Sequence, residues 1–155
     1  RNPQGLLVKD NLILSTEHGP KGGDEINNIM LGKNYGWPIS SYGESYANDD
    51  LKYSKSHTEN SFEEPIFSFL PSIGISEIIF LPNSFSSKWQ NNFLISSLNG
   101  RSLYRIKFNE SFTKIFYKEK IFIGQRIRDL KYDKDLNAIL LSLEDTGELG
   151  LIKSN

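Results

Sequence analysis

The sequence predicts an all-β fold that forms part of a β-propeller. Short segments rich in aromatic and β-branched residues recur along the 155 residues, with turn residues between them, as is typical of sandwiches, barrels and propellers. No longer segment keeps an apolar period of about 3.6 residues between helix caps. Two segments, GLLVKDNLILSTE and RIRDLKYDKDLNAILLSLED, share one design, in which two apolar strands flank a turn with aspartate and asparagine and end in an acidic residue. This repetition favours a propeller over the other all-β folds.

Eleven strands are predicted in order along the chain. They cover residues 5–9, 12–16, 25–31, 66–69, 77–81, 92–98, 102–108, 113–117, 127–132, 138–143 and 150–153. Each segment is rich in residues that prefer strands, and pairs such as Asp10-Asn11 and Asn99-Gly100 provide turns between them. The longest interruption, residues 39–64, is rich in Ser, Asn, Asp and Tyr. We expect this loop to be functional or mobile, as loops of that length inside a compact domain usually are.

The length of the chain predicts an incomplete ring. A blade of four strands takes about 40 to 50 residues, so residues 1–155 hold about three blades in a single segment. Closed propellers take at least about four blades, and the two end blades of an open stack expose their edges. We therefore expect either a piece of a longer propeller or a subunit that completes its ring with a second copy.

Composition excludes several functions. Lys and Arg number 18 against 19 Asp and Glu, for a net charge of -1, so there is no electrostatic footprint for nucleic acid. No apolar segment is long enough to cross a membrane. The chain has no cysteine, which rules out disulfides and thiolate metal sites.

One stretch, STEHGPKGGDEIN at residues 15–27, combines backbone freedom with oxygen ligands. Its glycines and proline permit sharp bends that turn carbonyl oxygens to one side, and Asp24 and Glu25 place carboxylates close by. Hard cations such as Ca²⁺ bind sets of carbonyl and carboxylate oxygens. The alternative is an ordinary glycine-rich turn with a solvated acidic pair, and the stretch alone is compatible with both.

A second motif, GQRIRDL at residues 124–130, carries two arginines. Residues two apart in a strand face the same side, so Arg126 and Arg128 project together. Two neighbouring guanidinium groups suit a polycarboxylate or phosphate ligand. Alternatively, each arginine pairs with a local acid such as Asp129 or Glu144.

Two further motifs are RNPQG at residues 1–5, immediately before the first strand, and KNYGWP at residues 33–38. The second forms a turn that ends in Trp37. We predict that Trp37 packs between blades, because aromatic side chains dominate protein cores.

Taken together, RNPQGL, EHGPKGGDEIN, NYGWP and GQRIRDL, in this order and spacing, resemble the soluble quinoprotein glucose and sorbosone dehydrogenases. Within that family the similarity is to the bacterial aldose sugar dehydrogenases. It extends through SLNGRSLYRIKF and the terminal LSLEDTGELGLIKS, over essentially the whole chain but only the C-terminal half of a family member. It implies a six-bladed propeller, of which this chain would supply half, and oxidation of aldose sugars that depends on pyrroloquinoline quinone (PQQ) and Ca²⁺.

The resemblance also implies roles for individual residues. The residues that would border PQQ or hold its acidic groups are Arg1, Asn2, Gln4, His18, Ser72, Arg126 and Arg128. The residues that would bind calcium are Gly19 and Pro20, through their carbonyl oxygens beside the quinone, and Glu25 and the carbonyl of Tyr35, at a second, structural ion. The expected partners are an aldose and an electron acceptor, and family members are generally periplasmic or secreted.

The implied chemistry is hydride transfer from C1 of an aldose to the quinone, with Ca²⁺ as Lewis acid and a histidine as base. The family's catalytic histidine lies in the half that this chain does not match. His18 is a cofactor neighbour at most, and His57 falls in the long loop without a predicted role. Where the family usually has SLK, with a lysine that contacts the cofactor, this chain has Asn99, and Arg101 is the candidate replacement.

Two functional hypotheses follow. The first is the cofactor-binding half of a PQQ- and Ca²⁺-dependent aldose dehydrogenase. The second is a catalytically silent propeller used for binding or structure, as in hedgehog-interacting proteins, which carry a related domain. The missing base and Asn99 favour the second hypothesis. Gln4, the turn at residues 18–20 (called the HGP turn) and the pair Arg126 and Arg128 favour the first.

Overall fold

The computed structural model of the protein describes residues 1–47 and 51–154. It contains eleven strands: β1 (Pro3–Lys9), β2 (Leu12–Glu17), β3 (Asp24–Asn28), β4 (Phe67–Phe69), β5 (Ile75–Leu81), β6 (Asn92–Ser97), β7 (Ser102–Phe108), β8 (Ile115–Phe122), β9 (Ile127–Asp133), β10 (Ala138–Leu143) and β11 (Glu148–Lys153). Apart from one 3-10 turn at Thr58–Asn60, the described residues form no helix. None of them forms a helix that could span a membrane. The all-β prediction is confirmed, and every predicted strand is present.

Most predicted boundaries agree with the structure within two residues, and two do not. β3 ends at Asn28 rather than at residue 31, because the Tyr35 hydroxyl binds the Asn28 carbonyl and the Met30 amide and turns the chain away. β8 continues to Phe122 rather than stopping at residue 117, because its ladder with β7 extends to the pair Ser102–Phe122. The charged residues in the second half of β8 did not indicate a strand, but an outer edge strand tolerates charged side chains well.

The strands form three antiparallel sheets in the orders β1-β2-β3-β4, β5-β6-β7-β8 and β9-β10-β11. They are called the first, second and third blades. The inner strands β1, β5 and β9 are neighbours in that order. The prediction of about three blades is therefore confirmed, with three strands in the third blade instead of four.

Side-chain alternation places one apolar core between each pair of blades. Along β6, Phe93 and Ile95 pack toward the first blade, whereas Leu94 packs toward the third. Along β7, Tyr104 and Ile106 face the first blade and Leu103 faces the third. A period of two puts successive side chains on opposite faces of a strand, so the second blade is buried on both sides.

Hydrogen bonds join the starts of the three inner strands. The Gly5 amide donates to Thr16 Oγ1 at 2.9 Å, and the Thr16 hydroxyl donates to the Ser76 carbonyl. The Ser76 hydroxyl donates in turn to the Ile127 carbonyl at 2.6 Å. A Cβ on Gly5 would lie 2.7 Å from Thr16 Oγ1 and 2.8 Å from the Ile78 amide, so this contact requires glycine. The inner strands therefore all begin at one end of the stack, which we call the upper end.

Candidate functional site

The upper end gathers the predicted site residues from distant parts of the sequence. Arg1, Asn2 and Gln4 lie at the start of β1, and the HGP turn follows β2. Ser72 precedes β5, while Arg126 and Arg128 lie at the start of β9. Because β1, β5 and β9 all begin there, ten of the eleven predicted residues lie at this end by topology alone, and Tyr35 reaches it through the long loop that follows β3.

A cleft of about 240 Å³ opens at the upper end of the first blade. Its walls contain six of the predicted site residues, namely Arg1, His18, Gly19, Pro20, Glu25 and Tyr35. Asn2 and Gln4 stand beside it, and their side chains bond to each other, with Gln4 Nε2 donating to Asn2 Oδ1 at 3.1 Å. The cleft therefore joins the predicted calcium ligands to part of the predicted cofactor shell.

The two carbonyls predicted to bind calcium already accept hydrogen bonds from side chains, and one of these side chains is cationic. Arg1 Nη1 donates to the Gly19 carbonyl at 2.9 Å, and the Tyr46 hydroxyl donates to the Pro20 carbonyl at 2.8 Å. The Arg1 guanidinium carbon lies 5.2 Å from the centre of the Trp37 ring, within the range of a cation–π contact. The guanidinium is a stand-in cation, so the donor set of this turn fits a positively charged ligand.

The carboxylate of Asp24 holds the HGP turn in place. It is completely buried and accepts four hydrogen bonds, from Gly19 N, Ser72 Oγ, Ile73 N and Ile75 N. A Cβ on Gly19 would lie 2.1 Å from the Gly22 carbonyl oxygen, so the tight turn requires glycine there. All four hydrogen-bonding positions of Asp24 are thus occupied by donors from two segments, so its oxygens are not free to act as direct ligands of a cation.

Glu25 is the available carboxylate of this motif. Its side chain is 13% exposed, and Oε2 accepts a hydrogen bond at 3.3 Å from Asn27 Nδ2, which also donates to Glu17 Oε1. Burial raises the pKa of Glu25 to about 7, and repulsion by Glu17 adds to the effect while the Asn27 hydrogen bond opposes it. A bound cation would stabilise the charged form of this carboxylate, which burial disfavours.

Calcium at this position would depend on backbone oxygens. Within residues 1–47 and 51–154, no three His, Asp or Glu side chains converge as a metal site. Ca²⁺ accepts main-chain carbonyls and water together with a single carboxylate. Tyr35 lines the same cleft as Glu25, and its hydroxyl is anchored on the Asn28 carbonyl at 2.7 Å.

The two arginines of β9 form a second group at the upper end. Arg126 Nε and Arg128 Nη2 both bind Glu144, at 2.9 and 2.8 Å, so the two side chains do project together. Their hydrogen bonds lower the pKa of Glu144. Arg101 Nη1 forms an ion pair with Asp145 Oδ2 at 3.1 Å, which places Arg101 beside this pair, and it does not line the cleft. A polycarboxylate ligand would therefore compete with Glu144 for the arginines.

Ser72 faces a separate groove. Besides bonding to Asp24, it lines this groove together with Asn99 and with Lys118 and Lys120 of β8. Asn99 thus stands near Ser72, and two lysines that the sequence did not single out are on the same surface.

Sequence reasoning missed two residues around the cleft. Trp37 was predicted to pack between blades, but it is 40% exposed and lines the cleft, where it contacts Arg1. His57 had no predicted role, yet its side chain is completely buried beside Glu25. Because NYGWP is one of the motifs that carry the family resemblance, it could have indicated that Trp37 lies near the site. Nothing near His57 in the sequence indicates that this residue lies beside Glu25.

The fold is that of part of a β-propeller, and the candidate site lies where its inner strands begin. The chain belongs to the Glucose / Sorbosone dehydrogenase family, whose sequence model matches residues 1–152.

Comparison with known proteins supports this membership. The chain is 33% identical over 153 residues to the aldose sugar dehydrogenase YliI of Escherichia coli K12, covering 96% of this chain and 41% of the relative. A shorter match, 47% identical over 62 residues, links it to quinoprotein glucose dehydrogenase B of Acinetobacter calcoaceticus, covering 36% of this chain and 13% of the relative. The crystal structure of the soluble aldose sugar dehydrogenase of E. coli superposes with a TM-score of 0.84 at 29% identity, covering 99% of this chain and 45% of that one. The chain thus spans less than half the length of these relatives.

Proposed function

We propose that the chain supplies the PQQ- and calcium-binding half of an aldose sugar dehydrogenase. One observation carries the proposal: the carbonyls of the HGP turn, the Glu25 carboxylate and the Arg1 guanidinium meet in a single cleft. The family and the quinoprotein among its relatives support a quinone cofactor. Calcium is supported by the donor set, which consists of oxygen atoms.

The residues of the chain divide the work of binding. Arg1, Gln4 and Asn2 would border the cofactor, and Arg126 and Arg128 would hold its acidic groups by exchanging Glu144 for them. Gly19 and Pro20 would bind one Ca²⁺ through their carbonyls. When bound, the quinone supplies the hydride acceptor and the ion supplies a Lewis acid.

We place the catalytic base outside this chain. His18 lines the cleft, but its Nε2 is buried without a hydrogen-bond partner in the described residues, so this nitrogen is not open to a substrate as a base. We expect the isolated chain to show weak or no oxidation of glucose in a dye-linked assay with added PQQ and Ca²⁺. Turnover at ordinary enzyme rates, about 1 to 10³ per second, would contradict this assignment.

Calorimetric titration of PQQ into the Ca²⁺-loaded protein tests the proposal. We expect binding that is abolished by a chelator and weakened about tenfold or more in Arg126→Ala and in Arg128→Ala, because a hydrogen bond to a charged group contributes about 1.5 to 3 kcal/mol. Lys131→Ala, which removes an exposed cation from the same strand, is the matched control and should leave the affinity unchanged.

The second candidate function is a silent binding or structural propeller. It is favoured by Asn99, which replaces the lysine of the family, and by Glu144, which occupies both arginines. The same titration distinguishes the two functions, since undetectable PQQ binding to the wild-type chain would leave only the second.

The outer faces of the end blades support a partner that continues the ring. On β1, Leu6 and Val8 are 67% and 63% exposed, and they point away from the core that Leu7 contacts. On β11, Leu149 and Leu151 are 77% and 50% exposed, opposite Ile152, which packs on the second core. Apolar faces of this kind mark interaction surfaces. We propose that further blades cover them, either those of a second copy or those of an N-terminal half.

Sedimentation at micromolar concentration separates these two partners. If a second copy completes the ring, the chain should sediment at twice its mass, and Leu6→Lys or Leu149→Lys should convert it to the monomer. Lys107→Gln, at an exposed position of β7, is the control and should leave the mass unchanged. Lys9 of β1 is not used for this purpose, because its ammonium group contacts the Phe80 ring. A stable monomer at low concentration would exclude the second copy.

A further inference from the structure

The imidazole of His57 is completely buried, although His57 belongs to the polar loop between β3 and β4. Neither ring nitrogen has a partner with hydrogen-bond geometry in the described residues. An unsatisfied buried polar atom costs about 1 to 3 kcal/mol. A hydrocarbon side chain would avoid that cost, so the contacts of the ring have to explain the histidine.

One edge of the ring lies behind the proposed cation site. His57 Nε2 is 3.9 Å from Glu25 Oε1. The adjacent ring atom Cδ2 packs against Gly36 so closely that a Cβ added there would lie 2.8 Å from it. Gly36 directly follows Tyr35, whose carbonyl is the other proposed ligand. A single side chain thus contacts both segments that would bind the ion.

The opposite edge of the ring faces the loop. His57 Nδ1 is 3.3 Å from Glu64 Oε2. That carboxylate also accepts from the backbone amides of His57 at 2.8 Å and Thr58 at 3.2 Å and from the Tyr42 hydroxyl at 2.7 Å. Glu64 therefore ties together three points of the loop, and His57 connects Glu64 to the cation site.

The loop also reaches the cofactor side of the cleft. Tyr46, which belongs to it, donates to the Pro20 carbonyl, and Lys55 Nζ donates to the carbonyls of Ser41, Tyr42 and Gly43. Of residues 39–64, only 48–50 lie outside the described part of the chain. A change in the order of this loop would alter the wall of the cleft.

We propose that His57 is a positioning residue through which calcium bound at Glu25 and Tyr35 orders the loop segments 39–47 and 51–64. The inference rests on the proposed calcium site. The ion would bring the Glu25 carboxylate and the Tyr35 carbonyl to fixed positions, and the imidazole packs directly against both segments. Through Glu64 the ring then holds Tyr42 and Thr58, so calcium binding at the scaffold sets the shape of the cleft wall.

Limited digestion by trypsin, with Ca²⁺ alone as the added ligand, tests the proposal in the 155-residue chain. Cleavage after Lys52 and Lys55 reports on the loop, and calorimetry reports on the affinity for Ca²⁺. We expect Ca²⁺ to slow cleavage at these sites about tenfold or more in the wild type, since residues that support a metal ligand typically change affinity by about 10- to 100-fold.

Two substitutions of the same histidine provide the comparison. His57→Gln keeps a polar atom at the reach of Nε2, whereas His57→Asn reaches only the position of Nδ1. We expect His57→Asn to weaken Ca²⁺ binding about tenfold or more and to abolish protection, while His57→Gln retains most of both. Glu59→Gln, an exposed charge in the same loop, should behave as the wild type.

The outcomes distinguish a failure of the His57 role from a failure of the calcium site. If the wild type binds Ca²⁺ but its loop is cleaved equally fast with and without the ion, the role of His57 is wrong and the calcium site stands. Unchanged affinity and protection in a folded His57→Asn variant would likewise overturn that role alone. If the wild type binds no Ca²⁺, the site fails and the role of His57 fails with it. If circular dichroism shows that His57→Asn does not fold, the Ca²⁺ affinity and the tryptic cleavage of the wild type and of His57→Gln still test the role of His57.

Discussion

Replacing Asp24 by asparagine is expected to lower the free energy of unfolding by about 2 to 3 kcal/mol. Each oxygen of this buried carboxylate accepts two hydrogen bonds. Oδ1 accepts from Gly19 N and Ser72 Oγ, and Oδ2 accepts from Ile73 N and Ile75 N. An asparagine NH₂ turned toward Ile73 and Ile75 would leave both of those amides unpaired. Turned the other way, it could donate to Ser72 Oγ, which would then act as acceptor, but it would still leave the Gly19 amide unpaired. Urea denaturation of the two proteins measures the effect.

Two variants calibrate that measurement. Asp10→Asn removes an exposed carboxylate from the β1–β2 turn, and asparagine tolerates the positive φ of 53° found there, so its stability should stay within about 0.5 kcal/mol of the wild type. Ser72→Ala removes a single donor to Asp24 and should cost about 1 kcal/mol. A loss below 1 kcal/mol in Asp24→Asn would show that the carboxylate does not hold the two segments together.

In the absence of PQQ, and so without the ion proposed beside the quinone at Gly19 and Pro20, replacing Glu25 by glutamine is expected to abolish calcium-dependent stabilisation. The same substitution should raise stability without calcium at high pH. The pKa of Glu25 rises from 4.5 to about 7 on folding. Between those values the folded state keeps a proton that the unfolded state has lost, so stability is full below pH 4.5 and falls as pH rises to about 7. The loss above that window is about 3 kcal/mol, and the glutamine variant does not suffer it.

Thermal unfolding at pH 5 and pH 8, with chelator and with Ca²⁺, measures both effects. In chelator, Glu25→Gln should unfold at a higher temperature than the wild type at pH 8, with a much smaller difference at pH 5. Calcium should raise the unfolding temperature of the wild type at pH 8, by linkage to the folded state, and leave the variant unchanged. Glu148→Gln, an exposed carboxylate at the start of β11, is the control. A calcium response that persists in Glu25→Gln would place the ion elsewhere.

The fold was predictable from sequence where local pattern and burial coincide. β6 belongs to the second blade, which lies between the other two, so its apolar centre Phe93–Ile95 corresponds directly to burial on both faces. The second half of β8 was not predictable, because Lys118 and Lys120 resemble a polar turn. Only the ladder with β7 and the stacking of Lys118 on Phe67 at 4.4 Å show that this charged segment is a strand.

The candidate site was predictable to the extent that its residues are adjacent in sequence. The HGP turn and Glu25 form one stretch, and Arg126 and Arg128 share one strand face, so spacing was sufficient to group them. Asp24 stands next to Glu25 in sequence but faces inward, where four donors surround it, and sequence alone does not distinguish the two carboxylates. His57 reaches Glu25 only because the long loop folds back across the blade, a path that no local pattern encodes.

The hydrogen bonds between the inner strands have a consequence for how ligands are accommodated. Ser76 is bonded to Thr16 on one side and to Ile127 on the other, so a slip of the second blade by one residue would break both bonds together. The separation between the cleft at Arg1 and the arginines of β9 is consequently set by the interior of the stack. The surface loops can change in length and sequence while the span that a ligand has to bridge remains constant.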